Sequence, residues 1–299
     1  MEHRLFGKTG MSVSVLGFGG AEIGFLGVDD QTVSKLLNEA LDAGLNVIDT
    51  AECYVDSEEK IGRAVSHRRK DFHLFTKVGH EHGFSKGEDW SAATIARTID
   101  RSLQRLKTDA LDLVQLHSCK ADVLAKGECI EALEAAKKAG KTRFIGYSGD
   151  GADALAAIGT GRFDALQTSI SIADQKVLGD VLPAALKRGM GVIAKRPVAN
   201  AAWQHAEQPK NAYHVEYWKR LKALDYAWTK KPLEEAVGIA LRFTLSQPGV
   251  HTAIVGTTRP GRFAQNAAAI KTGPLPPAGV NAIRGRWRSV AKADWVGQV

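Results

Sequence analysis

From about residue 12 to about residue 270, short runs of apolar and β-branched residues alternate with longer stretches in which apolar positions recur every three or four residues. Eight runs read as strands: 13–18, 46–50, 72–78, 111–117, 143–148, 165–170, 191–195 and 252–255. The stretches between them read as helices. The clearest spans 91–106, where Ile95, Ile99, Leu103 and Leu106 share one face and Arg97, Arg101 and Arg105 are expected to face away from it. Asp56 with Glu59 three residues on has the form of a capping box, and Gly44, Gly140 and Gly189 each close a helical run. Strands reached through helical crossovers must be parallel, and eight of them can close into a barrel filled by side chains. The expected fold is therefore α/β, a (β/α)8 TIM barrel forming one domain over residues 1–299. A doubly wound sheet would instead carry G-x-G-x-x-G after its first strand, whereas the chain reads Gly17-Phe18-Gly19-Gly20-Ala21-Glu22-Ile23-Gly24, with different spacing.

Three pieces fall outside the eight units. Residues 4–13 read as an N-terminal β-hairpin turning at Gly7 to Gly10 and plugging the barrel floor. Residues 208–228, rich in Tyr and Trp, insert after strand seven, and 274–299 carry an extra C-terminal helix; both are candidate lid elements.

Composition narrows the class. At 44% hydrophobic and 24% charged, 299 residues suffice for one large core, which excludes a disordered tail or a disulfide-stapled miniprotein. Cys53, Cys119 and Cys129 are odd in number and form no C-x-x-C pair, against a disulfide framework or zinc ribbon and in favour of a reducing cytoplasm. The start Met1-Glu2-His3-Arg4-Leu5 lacks a signal-peptide core, and no window approaches the run of about 18 apolar residues of a membrane span. The formal net charge of +7 suggests an acidic partner. Only Arg284-Gly285-Arg286-Trp287-Arg288 interleaves basic and aromatic residues, so a phosphorylated small molecule is expected rather than nucleic acid.

Catalytic groups of such barrels sit at the carboxyl ends of the strands. There the chain places Asp49 after strand two, Tyr54 in the turn that follows, Lys77 ending strand three and His117 ending strand four. Each alone has an ordinary reading as a turn, loop, snorkelling or strand-end residue; four at the ends of consecutive strands form a set. An adjacent ammonium lowers a phenol's pKa by roughly 1 to 3 units, so Lys77 is expected to make Tyr54 a usable acid. Asp49 is placed to compensate Lys77, because an unpaired buried ammonium costs several kcal/mol or loses its proton. A neutral His117 can donate to a carbonyl oxygen and fix its approach. The array suits protonation of an oxygen that gains negative charge, as in carbonyl reduction.

The run Asp49-Thr50-Ala51-Glu52-Cys53-Tyr54, followed by Ser57-Glu58, Ile61-Gly62, Thr76-Lys77, Ser102-Leu103-x-Arg105-Leu106 and Asp109-x-x-Asp112-Leu113-x-x-x-His117, resembles the aldo-keto reductase superfamily over nearly the whole chain. That resemblance implies an NAD(P)H-dependent oxidoreductase on a (β/α)8 barrel. It makes Asp49, Tyr54, Lys77 and His117 the catalytic tetrad, with Tyr54 as general acid in reduction and general base in oxidation.

The segment Gly256-Thr257-Thr258-Arg259-Pro260-Gly261-Arg262-Phe263-Ala264-Gln265-Asn266 is similar to the family's adenosine-phosphate segment. A helix N-terminus offers free N–H groups to an anion, and Arg259 and Arg262 can clamp a 2′-phosphate, which favours NADP (NADPH) over NAD. Gln167 and Ser148 match the family's contacts to the nicotinamide amide, and Gly20 and Ala21 align with backbone contacts to the cofactor. The chain departs from the family in three places. Gly149-Asp150 stands where asparagine is usual after the serine. Ala194-Lys195-Arg196-Pro197-Val198 offers no aromatic to stack on the nicotinamide, a role expected of Arg196 instead, with Lys195 at the pyrophosphate. Gln265 replaces a common glutamate and keeps an acceptor.

His80-Glu81-His82 resembles a metal pair without an evident third ligand, so no metal site is expected and a substrate contact is the alternative. Cys53 and Cys119 flank the tetrad as oxidation-sensitive bystanders. The expected reaction interconverts a carbonyl and an alcohol on a small aldehyde, ketone or sugar, an aldose dehydrogenase being the nearest variant. Two rivals remain: a cofactor-binding regulatory subunit acting as a redox sensor, and a cofactor-free lyase using Lys77 as a Schiff-base amine.

Overall fold

A computed structural model of the chain describes residues 1–80 and 88–298. Ten strands are present among the described residues: β1 (His3–Leu5), β2 (Ser12–Ser14), β3 (Leu16–Gly19), β4 (Val47–Asp49), β5 (His73–Val78), β6 (Leu111–His117), β7 (Thr142–Ser148), β8 (Ala165–Ser169), β9 (Gly191–Lys195) and β10 (Thr252–Val255). Strands β3 to β10 are parallel and close in sequence order, β10 pairing with β3, into the expected barrel. Helices, among them Asp30–Asp42, Ser57–Val65, Ala92–Leu106 and Arg262–Ile270, form the connections.

At the first strand the pattern misleads. Residues 13–18 are divided: Ser12–Ser14 pairs antiparallel with His3–Leu5, and only Leu16–Gly19 enters the barrel. A hairpin strand capping an apolar floor and a barrel strand buried on both faces carry the same run of apolar residues. The junction is held by Asn46, whose Oδ1 accepts from the Ser14 N–H at 2.6 Å while its own N–H donates to Ser14 Oγ at 2.9 Å.

The hairpin closes the floor as expected. Phe6 is fully buried and stacks on Phe75 with ring centres 5.7 Å apart, and the Lys8 N–H donates to the Gly189 carbonyl at 2.9 Å. Gly7 has a φ of +54°, and a Cβ there would come 2.4 Å from the Gly191 nitrogen, so only glycine fits the tip against β9.

Helix Ala92–Leu106 buries Ile95, Ile99 and Leu106, with Ser91 accepting from the Thr94 N–H as its cap. Its arginines do not simply face water. Arg101 pairs with Glu52, and Arg105 lies 2.8 Å from Glu59 and 3.6 Å from Glu52. The buried carboxylate of Glu52, in the loop after β4, needs a cation, and this helix supplies it. The Asp56 capping box is likewise absent: the Asp56 side chain makes no cap bond and pairs with Lys60 at 2.9 Å.

The insertion after β9 contains helix Ala212–Leu224, and the C-terminal segment contains helix Pro277–Val290. Tyr217, Leu221, Phe243, Ile283, Trp287 and Trp295 gather them into a second apolar cluster. No helix among the described residues is long and apolar enough to cross a membrane.

Candidate active site

Side chains alternate faces along a strand, so the inward register can be read upward from the floor. Val47, Phe75, Leu113, Ala165 and Ile193 are floor residues inside the barrel. Two positions further along each strand stand Asp49, Lys77, Gln115, Gln167 and Lys195, and His117 follows Gln115 on β6. Apolar below and polar above, the interior thus changes character at the carboxyl mouth.

There Lys77 Nζ donates to Asp49 Oδ2 at 2.5 Å and to the Thr50 carbonyl at 2.9 Å, both side chains being fully buried. The same ammonium lies 5.0 Å from the centre of the Tyr54 ring. The Tyr54 and His117 rings meet edge-on at 5.8 Å. All four tetrad candidates therefore converge. The other oxygen of Asp49, Oδ1, accepts from Gln115 Nε2 at 3.1 Å and Gln167 Nε2 at 2.8 Å.

The electrostatics follow from burial. Burial pushes the Lys77 ammonium down, but Asp49 and Tyr54 more than offset it, and the net shift is upward. Tyr54 departs from the expectation of a lowered pKa: burial outweighs the pull of Lys77 and pushes the phenol up to about 12. The proton stays on Tyr54 at neutral pH, which is the form a general acid needs. Burial, reinforced by Lys77, His80, Lys195 and Arg196, holds His117 well below its ordinary value, so its imidazole is neutral.

Cys53 Sγ lies 3.4 Å from His117 Nδ1, and burial pushes its thiol up to about 12, leaving no thiolate to react. Cys119, expected at the mouth, is instead fully buried in the core. The His80 ring lies 5.1 Å from that of His117; Glu81 and His82, the rest of that motif, lie outside the described residues.

The turn carrying Tyr54 is pinned from both sides. The Glu52 N–H donates to the Lys77 carbonyl at 3.0 Å, and Arg105 donates to the Glu52 carbonyl at 3.2 Å. Glu58 accepts from Thr76 Oγ1 at 2.7 Å, and burial pushes its carboxyl up to about 7.

On the cofactor side, the Ser148 hydroxyl is buried and has no hydrogen-bond partner among the described residues. A buried unsatisfied hydroxyl at the mouth fits a ligand that supplies the missing bond. Gln167, its neighbour in register, is engaged with Asp49. The Gly20 N–H donates to the Asp49 carbonyl at 2.8 Å and its carbonyl accepts from Ser57 Oγ at 2.7 Å, while Ala21 begins the short helix Ala21–Phe25. Glycine at position 20 is a packing requirement, since a Cβ would come 2.8 Å from Ser57 Oγ.

Lys195 and Arg196 have protein partners where cofactor contacts were expected. Asp150, at the usual asparagine position, is buried and accepts from the Ser169 N–H at 2.7 Å and from Thr168 Oγ1 at 2.7 Å. Its charge needs a cation there, and Lys195 Nζ lies 2.9 Å away. The Arg196 guanidinium lies 4.9 Å over the Tyr213 ring, donates to Ser169 Oγ at 2.8 Å and bonds the Gln298 carbonyl of the C-terminal tail. After it, the Pro197 carbonyl accepts from Thr244 Oγ1 at 3.0 Å and Val198 is half-buried.

The last loop forms from half-buried Gly256, Thr257 and Thr258, the Thr257 hydroxyl accepting from the Arg259 N–H at 3.1 Å. Arg259 and Gln265 are exposed, Arg262 is half-buried and Asn266 is buried on helix Arg262–Ile270. The Gly261 N–H preceding this helix, expected to meet a phosphate, donates to the Glu39 carboxylate at 3.0 Å.

Gln115, Tyr213 and Glu39 were missed by motif reading, and Asp150 was singled out there but not as the partner of Lys195. Gln115 had a signal: it is a polar residue two positions before His117, on the same face of an otherwise apolar run.

The chain is similar to known proteins along nearly its whole length. The profile of the Aldo/keto reductase family matches residues 15–288. The L-galactose dehydrogenase of Arabidopsis thaliana is 29% identical over 285 residues, covering 90% of this chain and 88% of that one. The D-threo-aldose 1-dehydrogenase of a Pseudomonas species is 27% identical, covering 95% of each. The holo form of the aldo-keto reductase AKR11C1 from Bacillus halodurans superposes with a TM-score of 0.85 at 28% identity, covering 99% of each chain.

Proposed function

The chain belongs to the aldo/keto reductase family and is an oxidoreductase of the nicotinamide-dependent kind, and from that premise we propose that it acts as a single NADP(H)-dependent catalytic domain, cytoplasmic, interconverting the carbonyl and alcohol of a small sugar. The sugar class is drawn from the two relatives named for aldoses. Three free thiols suit a reducing compartment.

The observation that carries the reading is the ammonium of Lys77 held between Asp49 at 2.5 Å and the Tyr54 ring at 5.0 Å. When bound, the nicotinamide supplies or accepts the hydride. Tyr54 then hands its phenolic proton to the oxygen that gains negative charge, and takes it back in oxidation. Lys77 stabilises the phenolate left behind, and Asp49 keeps Lys77 charged and in place. His117, neutral, donates from its ring to the same oxygen and sets its direction. Ser148 and Gln167 are the residues that would hold the carboxamide, and Arg259 and Arg262 those that would meet a 2′-phosphate.

The direct test is tryptophan-fluorescence titration with NADPH and NADH, followed by a panel of aldoses and aldehydes read at the nicotinamide absorbance. Tighter NADPH binding and turnover of at least one aldose are expected. No turnover with any carbonyl or alcohol, despite cofactor binding, would instead favour a regulatory role.

A further inference from the structure

Three polar side chains share one layer inside the barrel: Asp49 on β4, Gln115 on β6 and Gln167 on β8, contributed by alternate strands. All three are buried, with at most 1% of their surface exposed. Oδ1 of Asp49 accepts from both glutamines, and Gln167 Nε2 also lies 3.4 Å from Gln115 Oε1. One carboxylate oxygen therefore has two donors while the other holds Lys77. The room for Gln115 is built in: it pairs in register with Gly146 on β7, where a Cβ would come 3.1 Å from Gln115 Cγ.

The two donors are not equivalent. Gln167 stands beside Ser148 in register, and the unpartnered hydroxyl of Ser148 marks that side as the one a carboxamide would occupy. Gln115 pairs with Lys77 on β5 and with Gly146 on β7, two residues before Ser148, whose register partner on β6 is His117 and not Gln115. If Gln167 turns to a ligand, Asp49 Oδ1 retains a donor only through Gln115. A buried carboxylate that lost both donors would rotate or draw the proton from Lys77, because an unsatisfied charge in low dielectric is costly. Either response removes the cation beneath Tyr54.

We propose that Gln115 is a positioning residue that holds Asp49 on Lys77 while Gln167 exchanges its bond from Asp49 to the nicotinamide carboxamide. The inference rests on the reading of Tyr54 as proton donor and adds to it a residue that acts only through Asp49.

The test begins with side-chain amide NMR of the uniformly 15N-labelled protein, the two glutamine signals being assigned with Gln115→Met and Gln167→Leu. On saturation with NADP+, the Gln167 signal is expected to move and the Gln115 signal to keep its position. A stationary Gln167 signal, or a Gln115 signal that moves as far as that of Gln167, overturns the proposal. This arm decides whether or not any chosen aldose is turned over.

The second arm is kinetic, with DL-glyceraldehyde and NADPH. Loss of a hydrogen bond to a charged group corresponds to about a tenfold fall in kcat for Gln115→Met, with cofactor affinity unchanged, whereas Gln167→Leu weakens cofactor binding. In the Asp49→Asn background the Gln115 substitution is expected to add nothing, because its route runs through that carboxylate. An equal further loss there, or a fall in thermal stability with no change in kcat, assigns Gln115 a merely structural role. Full activity in Tyr54→Phe would sink the underlying reading; an inactive Tyr54→Phe with additive Gln115 and Asp49 effects would sink only this inference.

Discussion

Arg101, on the helix that connects β5 to β6, forms an ion pair with Glu52, two residues before Tyr54. Glu52 is almost wholly buried, and Arg101 keeps 19% of its side chain exposed. The pair ties the turn that carries Tyr54 to the outer layer of the barrel. Arg101→Met leaves that carboxylate with the more distant Arg105, at 3.6 Å, and is expected to cost roughly 2 kcal/mol, less than a fully buried pair would lose. The double variant Glu52→Gln with Arg101→Met should lose less than the two single variants added together. Denaturant melts of the four proteins measure the coupling; strictly additive losses would mean that the two side chains do not support one another.

Tyr54→Phe removes one hydroxyl from a ring that keeps its contacts with Lys77 and His117. Cofactor affinity is expected to stay unchanged while kcat falls at least about 100-fold, the usual worth of a positioned proton donor. Direction brings a pH signature. Because burial pushes the Tyr54 phenol up to about 12, its acid form dominates across neutral pH. Reduction should vary little between about pH 6 and pH 9, whereas oxidation, which needs the phenolate, should accelerate with rising pH. Initial rates in both directions over that range check it.

How far the sequence reached depends on which forces set each feature. The barrel was legible because the short apolar runs of seven strands are imposed by burial and survive without context, as at Leu111–His117 and Gly191–Lys195. The first strand was not, since Val13 on the hairpin and Leu16 in the barrel are both buried and carry no mark of which sheet they join. The tetrad was legible as residue types at strand ends. The partners of Arg196 were not, because Tyr213, Ser169 and the Gln298 carbonyl reach it from three separate segments. Nor was the reversal at Tyr54, where the sequence gives the neighbouring cation but only packing gives the cost of desolvation.

In the proposed reading, cofactor choice is set at the start of helix Arg262–Ile270. Arg259 and Arg262 favour a 2′-phosphate, whereas Glu39, which accepts from the Gly261 N–H at 3.0 Å, places negative charge at the same helix end. Arg262→Ala should weaken NADPH binding and leave NADH binding nearly unchanged. Glu39→Gln should act in reverse, tightening NADPH binding by about 2- to 5-fold, the scale of one charge at a helix terminus. Fluorescence titrations of both variants with both cofactors are the measurement. If Glu39→Gln strengthens neither cofactor, its carboxylate does not compete with the phosphate.

Glu58 follows the turn that carries Tyr54, accepting from Thr76 beside Lys77, and burial raises its carboxyl from an ordinary 4.5 to about 7. Between those values the folded protein binds more protons at this site than the unfolded chain, so its contribution is fully present below about pH 4.5 and is lost as pH rises through 7. Two to three pH units correspond to about 3 kcal/mol, an upper scale for one buried group. Glu58→Gln removes the titration and keeps an acceptor for Thr76. Its stability relative to the parent should therefore rise by roughly 1 to 3 kcal/mol between pH 5 and pH 8. Asp174, also buried and raised to about 7, destabilises the fold over the same range but is present in both proteins and cancels in the comparison. Urea unfolding of both proteins at the two pH values is the check, and a difference between them that does not change with pH would show that Glu58 stays ionised in the fold.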